Sequence, residues 1–225
     1  MNYLQLCQRA AIECDISGPG PVSVVGNTGE LNRICGWVAT ALTDLETKYT
    51  DWGWMLLPAS FATVAGQAQY TPAQCGITAD TFGEWVPWRF RNYVTANGNI
   101  SEVDMDGDCT YDGWRENYNY GATRYTQTRP LVVAIHPNAT DLLLGPYPAA
   151  GYTVTGEYFR APQILAADAD TPELPAQYHL MLVYMAMQSY GFYESAPEVL
   201  ARGEREYSKM MQRLEKLRLP PVYFR

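Results

Sequence analysis

The sequence predicts an α+β protein: a helical bundle formed by the N- and C-terminal segments, with an inserted antiparallel β-rich domain. Three observations predict it. Apolar residues recur at helical spacing in the first fifty or so positions. From Trp52 to Pro162 that period disappears, and Pro, Gly, Thr and aromatics punctuate short alternating runs. After Pro162 the helical period returns. The expected organisation is a discontinuous helical bundle from residues 1–51 plus 163–219 and a β-rich domain over 52–162. The latter carries a long polar excursion at 97–128, and residues 220–225 form an extended tail.

The first helix is expected over Tyr3–Cys14, where Leu4, Cys7, Ala11 and Cys14 share a face, and SGPGP (Ser17 to Pro21) ends it. For the second, Asn27 with Glu30 three residues on reads as a capping box. Leu31, Ile34, Cys35, Val38, Leu42 and Leu45 then form one stripe. Strands are expected at Met55–Val64, Gln67–Thr71, Trp85–Val94 and Leu131–Ile135. Asp141–Leu144 and Tyr152–Phe159, within DLLLGPYPAAGYTVTGEYFRAP, read as the two arms of a closing hairpin. Glu173–Tyr190 is expected to be a helix that is apolar nearly all round, which demands cover from its own chain or from a neighbouring subunit. A last helix is expected to start at Ser195, with Pro197 in its first turn and Glu198 completing a capping box. Its stripe is Leu200, Tyr207, Met210, Leu214 and Leu217.

Composition narrows function. A net charge of -8 lacks the basic footprint of a chain that grips phosphates. The five cysteines, Cys7, Cys14, Cys35, Cys75 and Cys109, are odd in number and form no CxxC, so buried free thiols in a reducing compartment are expected. The N-terminus has no apolar export core, and the apolar run Leu180–Ala186 with Met187 is far short of the roughly 20 residues of a membrane span. A soluble protein made in a cytoplasm is expected.

Candidate chemistry is thin. In DMDGDCTYDGW, Asp104, Asp106 and Asp108 alternate like EF-hand ligands, but glycine falls at Gly107 instead of at Cys109, and Arg115 stands where the bidentate acid belongs. An acidic, solvated turn is the plainer reading, and a looser Ca²⁺ or Mg²⁺ site is the alternative. His136 and His179 have no motif around them. GxSxG, HExxH, P-loop and GxGxxG patterns are all absent, and the prolines of SGPGP remove donors that a phosphate cradle needs. No catalytic residue, metal or cofactor is expected. Two minority classes stay open: a carbohydrate- or receptor-binding β module, and a small hydrolase with a carboxylate pair. The aromatic run WRENYNYGATRY favours a protein interface, with Trp114, Arg115, Tyr118, Tyr120 and Tyr125 as tail- or subunit-contact candidates.

The order of segments resembles a family of tailed-bacteriophage head-to-tail adaptors, similar to the adaptor of SU10-like podoviruses. The resemblance runs from GELNRICGWVATALTDLET through DWGWMLLPASF and GQAQYT to the GPYP turn and the strand ending YFRAP. It closes on D-x-P-x-L-P before the apolar helix. It implies a non-catalytic virion protein of the neck, assembled in the host cytoplasm. The family forms rings, typically of twelve subunits, that dock beneath the portal, extend the DNA channel and give tail and nozzle proteins a surface. DNA would pass without sequence-specific binding. By the same analogy Pro220, Pro221, Val222, Tyr223, Phe224 and Arg225 are the portal-docking candidates, with packing on the same or the next subunit as the alternative. The 97–128 excursion matches nothing in the pattern, so the resemblance assigns it no role.

Overall fold

The computed structural model describes residues 1–49 and 51–218. Helices α1 (Tyr3–Glu13) and α2 (Gly29–Lys48) open the chain. Strands β1 (Leu56–Ala62), β2 (Gln69–Tyr70), β3 (Phe82–Trp85), β4 (Arg91–Val94) and β5 (Val103–Asp104) follow. Then come α3 (Tyr111–Asn117), β6 (Gln127–Thr128), β7 (Val132–Ile135), β8 (Leu142–Gly145), β9 (Tyr147–Pro148) and β10 (Tyr152–Arg160). Helices α4 (Leu180–Tyr193) and α5 (Pro197–Arg218) end the described chain. Two compact units result, one of residues 1–54 with 162–225 and one of residues 55–161. The mixed fold class is the one the sequence predicts, with helices at both ends and antiparallel sheets between.

In the helical unit α1 starts on a complete capping box. The Asn2 side chain accepts from Gln5 N, and the Gln5 side chain accepts from Asn2 N. Helix α2 does not start as expected. Asn27 donates its side-chain amide to Ser23 O at 2.6 Å, so it is spent within the loop, and the helix opens at Gly29 behind Thr28. The stripe itself forms: Ile34, Cys35, Val38, Leu42 and Leu45 are buried. Helix α4 begins later than the expected Glu173, because Pro172 and Pro175 hold the preceding segment out of the α-helix except for one 3₁₀ turn at Ala176–Tyr178. Met181, Leu182, Val183, Ala186 and Met187 are covered by α1, α2 and α5 of the same chain. Phe192 and Tyr193 are left exposed at its end.

Helix α5 opens at Pro197, not Ser195. Ser195 has φ of 55°, a left-handed backbone that the extended N-cap position does not use. Its contact with α4 runs through glycine. A Cβ on Gly191 would lie 2.8 Å from Leu200 Cβ, and one on Gly203 would lie 2.9 Å from the Tyr184 carbonyl oxygen. The two backbones therefore approach more closely than side chains would permit. Glu13, nearly buried, takes both Arg9 one turn back in α1 and Arg202 of α5.

In the β unit β10 is the organising strand. Its nine residues pair antiparallel with β1 from Leu56↔Phe159 to Ala62↔Thr153. On its other edge β4 meets Tyr152–Thr155 and β3 meets Tyr158–Arg160. The expected single strand Trp85–Val94 is thus two, broken by a 3₁₀ turn at Pro87–Arg89, because Pro87 has no N–H to give to a ladder. A second sheet runs β2-β8-β7, and β6 pairs in parallel with β9.

The expected closing hairpin does not form. β8 belongs to the three-stranded sheet and β10 to the larger one, so the Gly145–Gly151 segment carries the chain from one sheet to the other. That explains why three leucines, Leu142 to Leu144, follow one another without a polar residue between them. Leu142 and Leu144 face an aromatic core with Phe61, Phe82, Trp85, Phe90 and Tyr158, while Leu143 faces Trp114 on the opposite side. A strand buried on both faces has no polar alternation to show. The 97–128 excursion is correspondingly more ordered than a loop: it holds β5, α3 and β6, and α3 covers the outer face of β7 and β8.

Candidate functional site

Two places carry the residues that the sequence singled out. The first is the D-x-P-x-L-P motif of the helical unit. The Asp170 carboxylate accepts from Ala166 N and Ala167 N, both at 2.8 Å, and these two hydrogen bonds hold it below the usual carboxylate range. The Asp170 carbonyl accepts from Tyr3 N at 2.7 Å, which ties the turn to the start of α1. Leu174 is buried, and its carbonyl bonds His179 Nε2 at 2.8 Å. The Met1 ammonium donates to His179 Nδ1 at 2.9 Å, so Nε2 carries the ring proton. Burial keeps His179 below its ordinary value, with the nearby N-terminal charge acting in the same direction and the Leu174 hydrogen bond opposing.

Neighbouring carboxylates are braces of the same kind. Asp168 accepts from Val24 N at 2.6 Å and from Ser23 Oγ at 3.2 Å. Buried Glu46 of α2 accepts from Gln163 N at 2.7 Å. The first holds two loops together, and the second holds a loop to a helix.

The second place is the aromatic run of the β unit, and the structure sorts its members. Trp114 is buried at 4% exposure, with Nε1–H donating to Leu144 O at 3.0 Å. It serves the core and is not on the free surface. Tyr118 is half-buried with its ring against Gly145. Arg115, Tyr120 and Tyr125 are exposed, and Arg115 and Tyr120 flank an open cleft with Asp112, Glu116 and Arg124. The portal-docking candidates, residues 220–225, lie outside the described residues.

The acidic run gathers no ligand set. Asp104 Oδ1 accepts from Arg91 Nε at 2.7 Å, and Asp106 Oδ1 accepts from Asp108 N at 2.9 Å. Among the described residues no group of three or more His, Cys, Asp or Glu is placed to hold a metal ion. His136 is half-buried and accepts from Asn138 N through Nδ1 at 3.2 Å. The five cysteines are unpaired. Four are buried, and Cys109 is half-exposed, which departs from the expectation that all are buried. No helix among the described residues is long and apolar enough to cross a membrane.

Sequence reasoning missed Asp168, Glu46 and the glycine pair of α4 and α5, because single carboxylates and glycines carry no signal until their partners are in place. The braced D-x-P-x-L-P turn, feeding a glycine-packed helix pair, is scaffold geometry.

Comparison with known families agrees with it. The sequence model of a family described as SU10 adaptor protein matches residues 1–222. The chain belongs to that family. SU10 adaptor membership carries a bacteriophage head-to-tail adaptor role, a structural place in the virion neck and association with portal and tail components. No curated protein matches the chain.

Proposed function

We propose that this SU10 adaptor chain builds a ring, with twelve subunits by analogy, that docks beneath the portal, extends the DNA channel and presents the tail attachment surface. The observation that carries the reading is the family match over residues 1–222, which spans both units. An adaptor needs rigid elements, and the braced turns and the glycine-packed α4–α5 pair supply them. The charge balance supports the channel reading. With -8 per chain, a ring would repel phosphates rather than hold them, and DNA would slide.

Two contact regions belong to the proposal. Residues 220–225, with Tyr223 and Phe224 as anchors, would dock on the portal. Arg115, Tyr120 and Tyr125, exposed beside the half-buried Tyr118, would meet the tail or the next subunit. Negative-stain imaging of the purified chain with and without its portal tests the reading. A ring on the portal is the expected result, and a monomer that ignores the portal rejects it. Removing residues 220–225 should abolish docking, and unchanged docking rejects that assignment.

A further inference from the structure

The outer face of the three-stranded sheet carries a cleft of about 470 Å³, beside α3. Its aromatic members form a row. Tyr111 and Trp114 lie 6.4 Å apart at 22° between planes, and Trp114 and Tyr147 lie 6.3 Å apart at 24°. Tyr111 and Tyr147 are half-buried, so part of each is open, and His136 meets the edge of Tyr111 at 5.6 Å. Around the row stand Gln67, Gln69 and Asn119.

These polar groups are held in place, and their bonds fix what each has left to offer. Gln69 donates Nε2 to Asp141 at 2.7 Å and keeps Oε1 as an acceptor. Asp141 behind it is largely buried, and it is ionised below the usual range: burial opposes this, but hydrogen bonds from Gln69, Asn138 and Thr140 prevail. Gln67 donates Nε2 to Gln69 O at 2.8 Å and likewise keeps Oε1. Asn119 Oδ1 accepts from Tyr147 OH at 3.2 Å, which leaves Nδ2 as a donor. His136 Nδ1 is occupied by Asn138 N, which leaves Nε2–H to donate.

The wall therefore offers two amide acceptors, two donors and a near-parallel aromatic row, with no Lys, Arg, Asp or Glu among its lining residues. The missing cations exclude a phosphorylated ligand as the natural occupant, since phosphate recognition rests on Arg, Lys or clustered backbone N–H groups. These donors and acceptors would be left unpaired by a purely apolar guest. A pyranose satisfies both demands, with hydroxyls at its rim and a C–H face that packs on rings. We propose that this cleft binds a neutral saccharide of mono- to disaccharide size, stacked on Tyr111 and Tyr147 and held by Gln67, Gln69, Asn119 and His136. This assignment is independent of the adaptor reading and adds to it a surface function of the β unit.

The test is saturation-transfer NMR on the full chain with maltose, cellobiose and N,N′-diacetylchitobiose at millimolar concentration. Transfer to the ring protons of at least one of the three is expected. Tyr111→Ala should weaken that binding about three- to tenfold, the worth of one aromatic contact. Should Tyr111→Ala fail to fold, Gln69→Ala at an exposed strand position and Tyr147→Phe, which keeps the ring but frees Asn119, remain as tests. Each should weaken binding measurably. No transfer from any of the three sugars overturns the proposal and leaves the cleft to protein contact. Affinity unchanged in every folded variant overturns it equally.

Discussion

In the helical unit the fully buried side chains are mostly aliphatic, with Leu6, Ile34, Leu42, Leu45, Leu174 and Met181 prominent. In the β unit Phe61, Tyr70, Phe82, Trp85, Phe90 and Tyr158 meet in one cluster, with ring centroids 4.8–6.1 Å apart. Flexible aliphatic chains fill space by rotamer adjustment and tolerate a change of volume. Rigid rings need a gap of fixed shape, and that gap is supplied by a glycine: a Cβ on Gly156 would overlap the ring of Phe90. One unit is held by quantity of burial, the other by fit. The contrast implies that equal chemical insults should not cost the two units equally.

The strongest way to break that contrast is Gly156→Val. The added atoms have nowhere to go, and a loss of about 3 kcal/mol or more is expected, read by urea unfolding with aromatic near-UV dichroism. A cost below that of an ordinary surface change would mean that the aromatic cluster yields after all. Leu42→Ala in the helical unit should cost about 2–5 kcal/mol depending on collapse, and the relaxation argument places it toward the lower end. If instead it exceeds the Gly156→Val loss, the ranking of the two units reverses.

Trp114→Phe keeps most of the ring but leaves the Leu144 carbonyl, already buried, without its Nε1–H donor. An unmet buried acceptor costs about 1–3 kcal/mol, measurable by thermal unfolding. The smallest effect concerns pH. Burial holds His179 below the ordinary histidine value of about 6.5, so the unfolded chain takes up the proton more readily than the folded one. The stability it contributes is complete above about pH 6.5 and declines as pH falls through the lower folded value. His179→Gln should flatten that decline while leaving the β unit's aromatic signal unchanged. A decline of the same size in both proteins would assign it to other groups.

The two units also differ in how far their sequences could be read. The stripe of α2 was legible because periodic burial on one helix is a local signal, and Leu31 to Leu45 needs no partner to be recognised; α4 was legible from the length of its apolar run. Helix starts were misplaced, since Asn27 and Ser195 have the right chemistry for caps but the loop geometry spends one and strains the other. In the β unit the strand pairings were not legible. LLLG and YTVTGEYFR sit a few residues apart in sequence yet belong to different sheets, and nothing in either segment names its neighbour. Trp114 resembled a surface anchor because its run is polar. Its burial depends on Leu143 and Ala134 from two other strands. The cleft beside it draws on four separate segments, so only the fold brings its side chains together.

One hydrogen bond has a meaning for the gene. Arg160 N donates to Met55 O at 2.9 Å, so the β unit begins and ends at the same point on adjacent antiparallel strands. Anything spliced between those positions has to satisfy a single condition, that its own two ends meet. At the level of the gene, residues 55–161 are therefore the natural block to exchange by design: an insert whose two ends lie as close would leave the connections to the helices on either side unstretched.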